Sequence, residues 1–437
     1  MVPTLRDVAP DEVEQLLTDL FPAAWLRETA REVGFVRRIR KIDPVAFFWV
    51  LVLGFGTGAQ RTLAGLRRGY ESVTAKTLVP SAFYDRFTPA CVAFLRACFT
   101  RGLDALVRHT SVALGAQLRA FQDLVVADGT LIRLHDRLAT QFPGVKNAAE
   151  LKIHVVTGIS QNTKSIQLCA GKTPDVTILR VGPWVRDHLL LFDLGYFKYQ
   201  LFSRIRRNGG YFVSRIKTST NPTIVRVLRT HRGRARDVTG QRLREVLTTL
   251  RREVLDVEVE VAFHRRAYRG RSAPATEVFR LVGIRDAETG RYHCFLTNLT
   301  PEQLSAEEVA AVYRARWTVE LLFKELKRLY QLDVITSASP VVIEALVLAT
   351  LLTMVVSHRI LHHLRSLVPP DLGRRLTPLR WAEVFVAWAA RLLERVLDQA
   401  GIAHADLALF AFMLFDGLDP NVHRTRLLDP WTRLLED

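Results

Sequence analysis

Residues 124–130 read Leu-Val-Val-Ala-Asp-Gly-Thr, a continuous apolar run that leads into an acidic residue. Such a run is typical of a strand that is buried in the middle of a sheet. A second apolar run, Leu189–Phe192, leads in the same way into Asp193. We therefore predict two strands of an α/β sheet that place the carboxylates of Asp128 and Asp193 at the rim of the sheet, near the strand ends.

The segments around these two runs predict the rest of the sheet. Further strands are expected at 152–159, 165–170 and 211–216, with a helix at 199–208. From residue 217 to 300, Val257, Val259 and Val261 alternate with glutamates, which is the period of a half-exposed strand. Residues 277–285 and 291–298 flank a polar turn and predict a hairpin. This part of the chain is therefore expected to be rich in strands.

The remaining segments have helical patterns. Residues 1–115 and 340–437 are expected to be helical, and one long helix is predicted from Thr300 to about Leu329. Near the N-terminus, two short helices are predicted at 62–69 and 80–87, on either side of a turn. A helix-turn-helix has this arrangement, but ordinary helix pairs have it too, so the pattern leaves both interpretations open.

The charge of the chain is strongly positive and unevenly distributed. The 437 residues carry 61 Lys and Arg against 44 Asp and Glu, a formal net charge of +17. Residues 200–275 hold 18 of the basic residues and six acids, hence +12 of this charge. A field of this size attracts a polyanion such as nucleic acid, although a solvated surface or an anionic membrane would have the same charge. We predict DNA contacts at five basic residues of this segment, namely Arg232, Arg234, Arg236, Arg265 and Arg266.

Cysteine usage and hydropathy exclude several other classes. The four cysteines are scattered without a CxxC pair, which excludes a disulfide scaffold and a cysteine zinc site and fits a reducing cytoplasm. The first 20 residues lack the apolar segment of a secretory signal. The apolar stretches 45–55 and 341–356 are shorter than the roughly 20 residues that a bilayer requires, so both are expected to be core helices.

The late helix carries a polar stripe. With a rotation of roughly 100° per residue, one face of a continuous helix would present five polar side chains. These are Tyr313, Arg316, Glu320, Lys324 and Lys327. The alternative is a solvated face with ion pairs at i,i+4 spacing, from Arg316 to Glu320 and from Glu320 to Lys324. Spacing alone favours this alternative.

Three motifs together resemble one known family. The pattern Tyr313-x2-Arg316-x3-Glu320-x6-Lys327 resembles the YREK signature of the insertion-sequence-four family of bacterial DDE transposases. Asp128-Gly129-Thr130 resembles the first acidic motif of that family, and Asp193-Leu-Gly-Tyr-Phe197 resembles its second. The motifs occur in the family's order, with a basic strand-rich segment between the second and third acids. The resemblance covers roughly residues 30–360.

The resemblance implies a fold and a division of the chain. The expected fold is an α/β RNase H-like (retroviral-integrase-like) catalytic domain with a β-rich insertion, flanked by helical N- and C-terminal regions. The expected boundaries are 1–115 for a helical DNA-binding region, 116–216 for the first part of the catalytic core, 217–300 for the basic insertion, 301–340 for the final core helix, and 341–437 for a helical C-terminal region that dimerises or contacts DNA.

The resemblance also implies an activity. Asp128, Asp193 and Glu320 would bind two Mg²⁺ ions, with Mn²⁺ as a substitute, for the cleavage and strand transfer of DNA. Tyr313, Arg316 and Lys327 would hold phosphates of the DNA end, and Lys324 shares their face outside the signature. An aromatic residue of the insertion is expected to stack on a flipped base, with Tyr268, Phe279 and Tyr292 as unranked candidates. The expected partners are the terminal inverted repeats, target DNA and a second copy of the chain, without a membrane.

Two other classes of function stay open on the sequence. A domesticated transposase could act as a non-catalytic DNA-binding protein, but it would have no need of three acids beside phosphates. A different RNase H-like nuclease, such as a junction resolvase, would lack the Tyr-Arg-Glu-Lys helix and the large insertion. Both are therefore disfavoured against a transposase.

Overall fold

The computed structural model describes residues 11–38, 42–74, 76–109, 118, 120–158, 163–229, 237–265, 273–369 and 375–402. Within these ranges, the side chains of 106–109, 163–165, 315 and 317–322 lie outside the description. The helices are α1 (Glu12–Leu20), α2 (Ala23–Glu32), α3 (Pro44–Trp49), α4 (Leu63–Thr74), α5 (Pro80–Tyr84), α6 (Pro89–His109), α7 (Asp175–Ile178), α8 (Tyr199–Arg207), α9 (Leu243–Thr249), α10 (Ala306–Tyr313), α11 (Trp317–Arg328), α12 (Pro340–Ser366) and α13 (Pro378–Gln399). The strands are β1 (Asp123–Arg133), β2 (Glu150–Gly158), β3 (Thr163–Ala170), β4 (His188–Phe192), β5 (Tyr211–Arg215), β6 (Thr223–Val227), β7 (Val254–His264), β8 (Pro274–Arg285) and β9 (Tyr292–Thr297).

The chain divides into two compact units. One unit contains Leu103–Lys327 with Thr336–Ala338, and it holds all of the described strands. The other contains Met1–Gly102, Arg328–Ile335 and Ser339–Asp437, and its described elements are helical.

The strands form a single mixed sheet in the order β3-β2-β1-β4-β5-β9-β8-β7-β6. The central strands β1, β4 and β5 are parallel to one another, and the remaining neighbours pair antiparallel. Parallel strands need a crossover between them, which the segments with α7 and α8 supply. The strands predicted from apolar runs are confirmed, as is the hairpin of β8 and β9, in which Arg285 pairs with Tyr292.

One face of this sheet holds a continuous apolar core. Val125 and Ala127 of β1, together with Leu190 and Phe192 of β4, lie in a cluster that also contains Phe202 of α8. The cluster continues across β7 and β8, where Val257, Val259 and Val261 are buried and the glutamates between them point outward. The alternation read from the sequence therefore describes β7 correctly.

The outer edge of β6 is covered by the chain that follows it. The backbone N–H of Ile224 donates to the carbonyl of Gln241 at 3.0 Å, and its carbonyl accepts from Gly240 N–H at 2.7 Å. The N–H of Leu243 donates to the carbonyl of Pro222 at 3.0 Å. Since β7 pairs with the other side of β6, the backbone of this short strand is hydrogen-bonded on both sides.

The late helix differs from the prediction in two ways. It begins at Ala306 instead of Thr300, because the side chain of Ser305 accepts from Glu308 N–H and the Glu308 carboxylate accepts from Ser305 N–H, a capping box. It is also interrupted by a turn of 3₁₀ helix at Arg314–Arg316, between α10 and α11. The prediction of one continuous helix was therefore wrong.

The helical unit is built around two apolar helices. The stretch after Asp43 forms α3 and then a π-helical segment, Val50–Phe55, whose residues are buried. Within the described part of the chain, α12 is the one helix whose length and composition would allow it to cross a membrane. Because 83% of its most apolar window is buried inside the protein, α12 has the surroundings of a core helix. This burial agrees with the interpretation of 341–356 as core.

Candidate active site beside two parallel strands

The first two predicted acids lie at adjacent positions of neighbouring strands. The parallel pairing of β1 and β4 ends with Ala127 opposite Phe192. Asp128 directly follows Ala127, and Asp193 directly follows Phe192. The backbone of Asp193 remains extended, so the alternation of side chains continues through it. Both carboxylates therefore lie on the face opposite to Ala127 and Phe192, and both are partly exposed.

The strand that carries Asp128 does not end there. It continues to Arg133, paired antiparallel with β2, so Asp128 lies in the middle of β1. The prediction of a strand end at this acid was wrong, because the pairing with β2 overrides the turn tendency of Asp-Gly. What ends at Asp128 is the pairing with β4, and this leaves the carboxylate at an opening between the two strands.

A guanidinium group lies beside the first acid. Nη1 of Arg316 is 3.7 Å from Oδ2 of Asp128, and the two side chains are 11% and 19% exposed. Oδ1 of Asp128 accepts from Gly129 N–H at 2.7 Å. The Arg316 guanidinium also lies 5.6 Å from the ring centre of Tyr313. Arg316 thus reaches Asp128 from the 3₁₀ turn, and the predicted continuous stripe does not exist.

Tyr313 is buried beside the second acid. Its hydroxyl donates to the carbonyl of Phe192 at 3.2 Å, and its ring packs 5.0 Å from that of Phe295. Burial raises the pKa of the hydroxyl, which therefore remains a donor. Tyr313, for which a contact with DNA phosphates is predicted, thus binds the backbone immediately before Asp193.

The other residues of the stripe have separate positions. Nζ of Lys327 donates to the carbonyl of Leu131 in β1 at 2.8 Å, so this lysine reaches the same strand as Asp128. Lys324 is exposed. The backbone of Glu320 lies in α11, and its side chain is outside the described part of the structure. In the residues that are described, no group of three or more His, Cys, Asp or Glu side chains is close enough to hold a metal ion.

The predicted contacts in the basic segment are only partly described. Arg265 is exposed at the end of β7, where its N–H donates to the carbonyl of Ala273 at 2.9 Å. The residues Arg232, Arg234, Arg236, Arg266 and Tyr268 lie outside the described ranges. Phe279 is 1% exposed within the sheet core, so it is not available to stack on a base, and that suggestion was wrong. The hydroxyl of Tyr292 donates to the carbonyl of Arg252.

A second polar cluster, which the sequence analysis missed, lies on the other face of the sheet. It consists of Lys152 and His154 of β2, Asp175 of α7, and Tyr196. Nζ of Lys152 is 3.1 Å from Oδ1 of Asp175, and the rings of His154 and Tyr196 are 5.8 Å apart. Burial lowers the pKa of His154 to about 4, so this histidine is neutral. Two polar residues at alternate positions of the apolar run Leu151–Val156 were the available signal.

Comparisons with known proteins identify the family of the chain. Residues 119–356 match the profile of the transposase DDE domain. The chain is 25% identical over 358 residues to the transposase for insertion sequence element IS231E of Bacillus thuringiensis subsp. finitimus, covering 74% of this chain and 73% of that one. It is 23% identical over 367 residues to the transposase for element IS231F of subsp. israelensis, with 74% and 73% covered. The transposase for element IS1151 of Clostridium perfringens is 25% identical over 215 residues, with 47% and 45% covered.

The family profile spans more than half of the chain, and it includes both strands that carry the acids. The chain therefore belongs to the bacterial DDE transposases of insertion sequences. Its mixed sheet, with parallel β1, β4 and β5 at the centre, is the RNase H-like fold that this domain implies.

Proposed function

We propose that this DNA transposase binds the terminal inverted repeats of its element and cleaves and joins DNA with Asp128, Asp193 and Glu320 as metal ligands. The observation that carries the proposal is the position of Asp128 and Asp193, adjacent and on one face where the pairing of β1 and β4 ends. Partly exposed carboxylates at such an opening suit hard divalent cations, which prefer oxygen ligands. Glu320 completes the proposed set through its place in the sequence motif.

The residues fit a pair of Mg²⁺ ions by their chemistry. When bound, two such ions activate the attacking oxygen and stabilise the leaving oxygen at one phosphodiester. Arg316, 3.7 Å from Asp128, would hold a phosphate beside the acids, since its planar fork suits two phosphate oxygens. Tyr313 positions Asp193 through the carbonyl of Phe192, and Lys327 positions β1 through the carbonyl of Leu131.

The rest of the proposal follows from charge and topology. Strands β6–β9, which extend the sheet beyond β5, would form the basic β-rich insertion at 217–300 that binds the DNA backbone with Arg232, Arg234, Arg236, Arg265 and Arg266. The helical regions 1–115 and 341–437 would bind DNA and a second copy of the chain. The site of action would be the bacterial cytoplasm, at the nucleoid.

The triad is tested by removing each acid. We expect Asp128→Ala, Asp193→Ala and Glu320→Ala to abolish Mg²⁺-dependent cleavage of transposon-end DNA while changing the affinity for that DNA only modestly. Cleavage is measured on labelled end fragments, and binding is measured by gel shift in Ca²⁺. Normal cleavage by any of the three variants would refute the assignment of that ligand. Binding by the wild-type protein without cleavage would indicate the domesticated, non-catalytic class instead.

A further inference from the structure

Asp175 lies against the two chain segments that carry the proposed metal ligands. A Cβ added to Gly129, the residue after Asp128, would lie 2.8 Å from Oδ1 of Asp175. A Cβ added to Gly195, two residues after Asp193, would lie 3.6 Å from Oδ2 of the same carboxylate. The Asp175 carboxylate therefore lies next to both segments, and a side chain at position 129 would force it to shift.

Within the described residues, this carboxylate pairs with Lys152, which is itself nearly buried. The side chain of Lys152 is 10% exposed and that of Asp175 is 25% exposed, with 3.1 Å between Nζ and Oδ1. Nζ of Lys152 also donates to the carbonyl of Thr173 at 2.7 Å. The side chain of Lys152 runs along Gly129, and its Cδ would lie 3.6 Å from a Cβ added to that glycine. The pair thus lies behind the sheet, opposite to the side chain of Asp128.

Asp175 adds a negative charge next to the segments that carry Asp128 and Asp193. Its carboxylate lies behind the sheet, opposite to the side chain of Asp128. Among the described residues, no three His, Cys, Asp or Glu side chains are close enough to hold one ion, so Asp175 acts from outside the proposed ligand set.

We propose that Asp175 is a positioning residue that increases the affinity of the Asp128–Asp193 pair for divalent cations, and that Lys152 offsets part of this effect. The inference rests on the proposed function, because it concerns the metal site assigned there. Asp175 acts in two ways, by fixing the backbone at Gly129 and Gly195 and by adding negative charge behind the ligands. Lys152 holds Asp175 in place but brings a positive charge that opposes a bound cation.

The two partners therefore have opposite predicted effects. Asp175→Asn keeps the shape of the side chain and leaves Lys152 uncompensated, so it should weaken Mn²⁺ binding by about tenfold, the usual effect of losing an outer partner of a metal site. Lys152→Met leaves the carboxylate uncompensated, so it should bind Mn²⁺ at least as tightly as the wild type. The double variant should lie between them. An ion pair with a merely structural role predicts that both single variants weaken binding together.

The measurement is a titration of the full-length protein with Mn²⁺, in which free Mn²⁺ is followed by electron paramagnetic resonance, at a temperature below the melting point of each variant. Unchanged binding by Asp175→Asn, or weaker binding by Lys152→Met, would overturn the inference. Each variant tests the direction of its own predicted change in Mn²⁺ affinity. If one variant fails to fold, the other still tests the inference. Lys152→Arg, which retains the charge, serves as the matched control and should bind as the wild type does.

The same titration separates this inference from the proposed function. Asp128→Asn and Asp193→Asn should remove Mn²⁺ binding, and if they do not, the metal site itself is wrongly assigned. If they remove it while Asp175→Asn has no effect, the metal site stands and only the role of Asp175 is refuted.

Discussion

At the scale of single residues, Arg316 lies beside Asp128, the first proposed metal ligand. The distance from Nη1 of Arg316 to Oδ2 of Asp128 is 3.7 Å, which is longer than a direct hydrogen bond. The Arg316 side chain is only 11% exposed. A substrate phosphate beside Asp128 would meet a cation that is already in position. Such preorganised charge is the largest single contribution in many active sites.

We predict that Arg316→Ala lowers the rate of transposon-end cleavage by about 10²–10³-fold, because positioned charge at a reacting phosphate contributes several kcal/mol. Arg316→Lys should also be impaired, since a point charge does not reproduce the fork of the guanidinium. The measurement is single-turnover cleavage at saturating Mg²⁺, with thermal melting to verify folding. Arg314→Ala is the matched control, because Arg314 is exposed in the same 3₁₀ turn. Equal rates for the Arg316 and Arg314 variants would assign Arg316 to a solvated surface.

The sequence indicates some of these residues and conceals others. Asp128 and Asp193 could be predicted because each follows an apolar run, and such a run indicates a strand whichever strands pair with it. Asp175 lies in a short polar segment, Thr173-Pro-Asp175, that reads as a loop. The role proposed for Asp175 depends on Lys152 lying beside Gly129. The register between β1 and β2 brings these two residues together, and no local sequence pattern specifies that register.

At the scale of elements, the segment from α10 to α11 shows where a periodic pattern misleads. A stripe at helical spacing suggested one helix, but the 3₁₀ turn at Arg314–Arg316 changes the rotation between Tyr313 and everything after it. Tertiary contacts decide this break, with the Tyr313 hydroxyl bound to β4 and Arg316 turned toward β1. The start of α10 was readable, since Ser305 and Glu308 have the spacing of a capping box.

Strand β7 carries one acid whose partner is deeply buried. The guanidinium of Arg280 in β8 donates from Nε to Oδ1 of Asp256 at 2.8 Å and from Nη2 to Oδ2 at 2.7 Å. Its Nη1 donates to the carbonyl of Leu304 at 2.7 Å, in the chain that leads to α10. Both side chains are about 95% buried, so neither charge can be compensated by water if the other is removed.

We predict that Asp256→Ala destabilises the protein by about 3–5 kcal/mol, the usual effect of leaving one buried charge unpaired. Glu258→Ala on the same strand is the control, because its partner Arg226 is 68% exposed and such surface pairs contribute at most about 1 kcal/mol. Urea denaturation of both variants provides the comparison. Similar urea midpoints for the two variants would show that water reaches the interior of strands β6–β9.

At the scale of the whole molecule, the charge distribution should govern the affinity for DNA. Residues 200–275 carry +12 of the net +17, so the sequence predicts that this segment makes the largest electrostatic contribution to DNA binding. Neutralising phosphates releases counterions from DNA, so the logarithm of the binding constant falls with the logarithm of the salt concentration.

We predict that replacing Arg232, Arg234 and Arg236 with alanine flattens this salt dependence, with roughly one unit of slope lost for each phosphate contact removed. DNA is titrated at several salt concentrations. The control replaces three exposed arginines of the segment 116–216, Arg137, Arg180 and Arg186, and changes the net charge equally. An unchanged slope in the first variant, or the same change in both, would show that the run 232–236 only contributes to the overall charge.

The covered edge of β6 has a consequence for the molecule in a crowded cell. A sheet with an open outer strand offers a template on which another chain can add a strand, the usual route to aggregation. Here the groups on the free side of Ile224 are already bonded to Gly240 and Gln241, and Arg226 adds a charge to the short strand. The long extension formed by β6–β9 therefore does not offer Ile224 as a template on which another copy of the chain could add a strand at that end of the sheet.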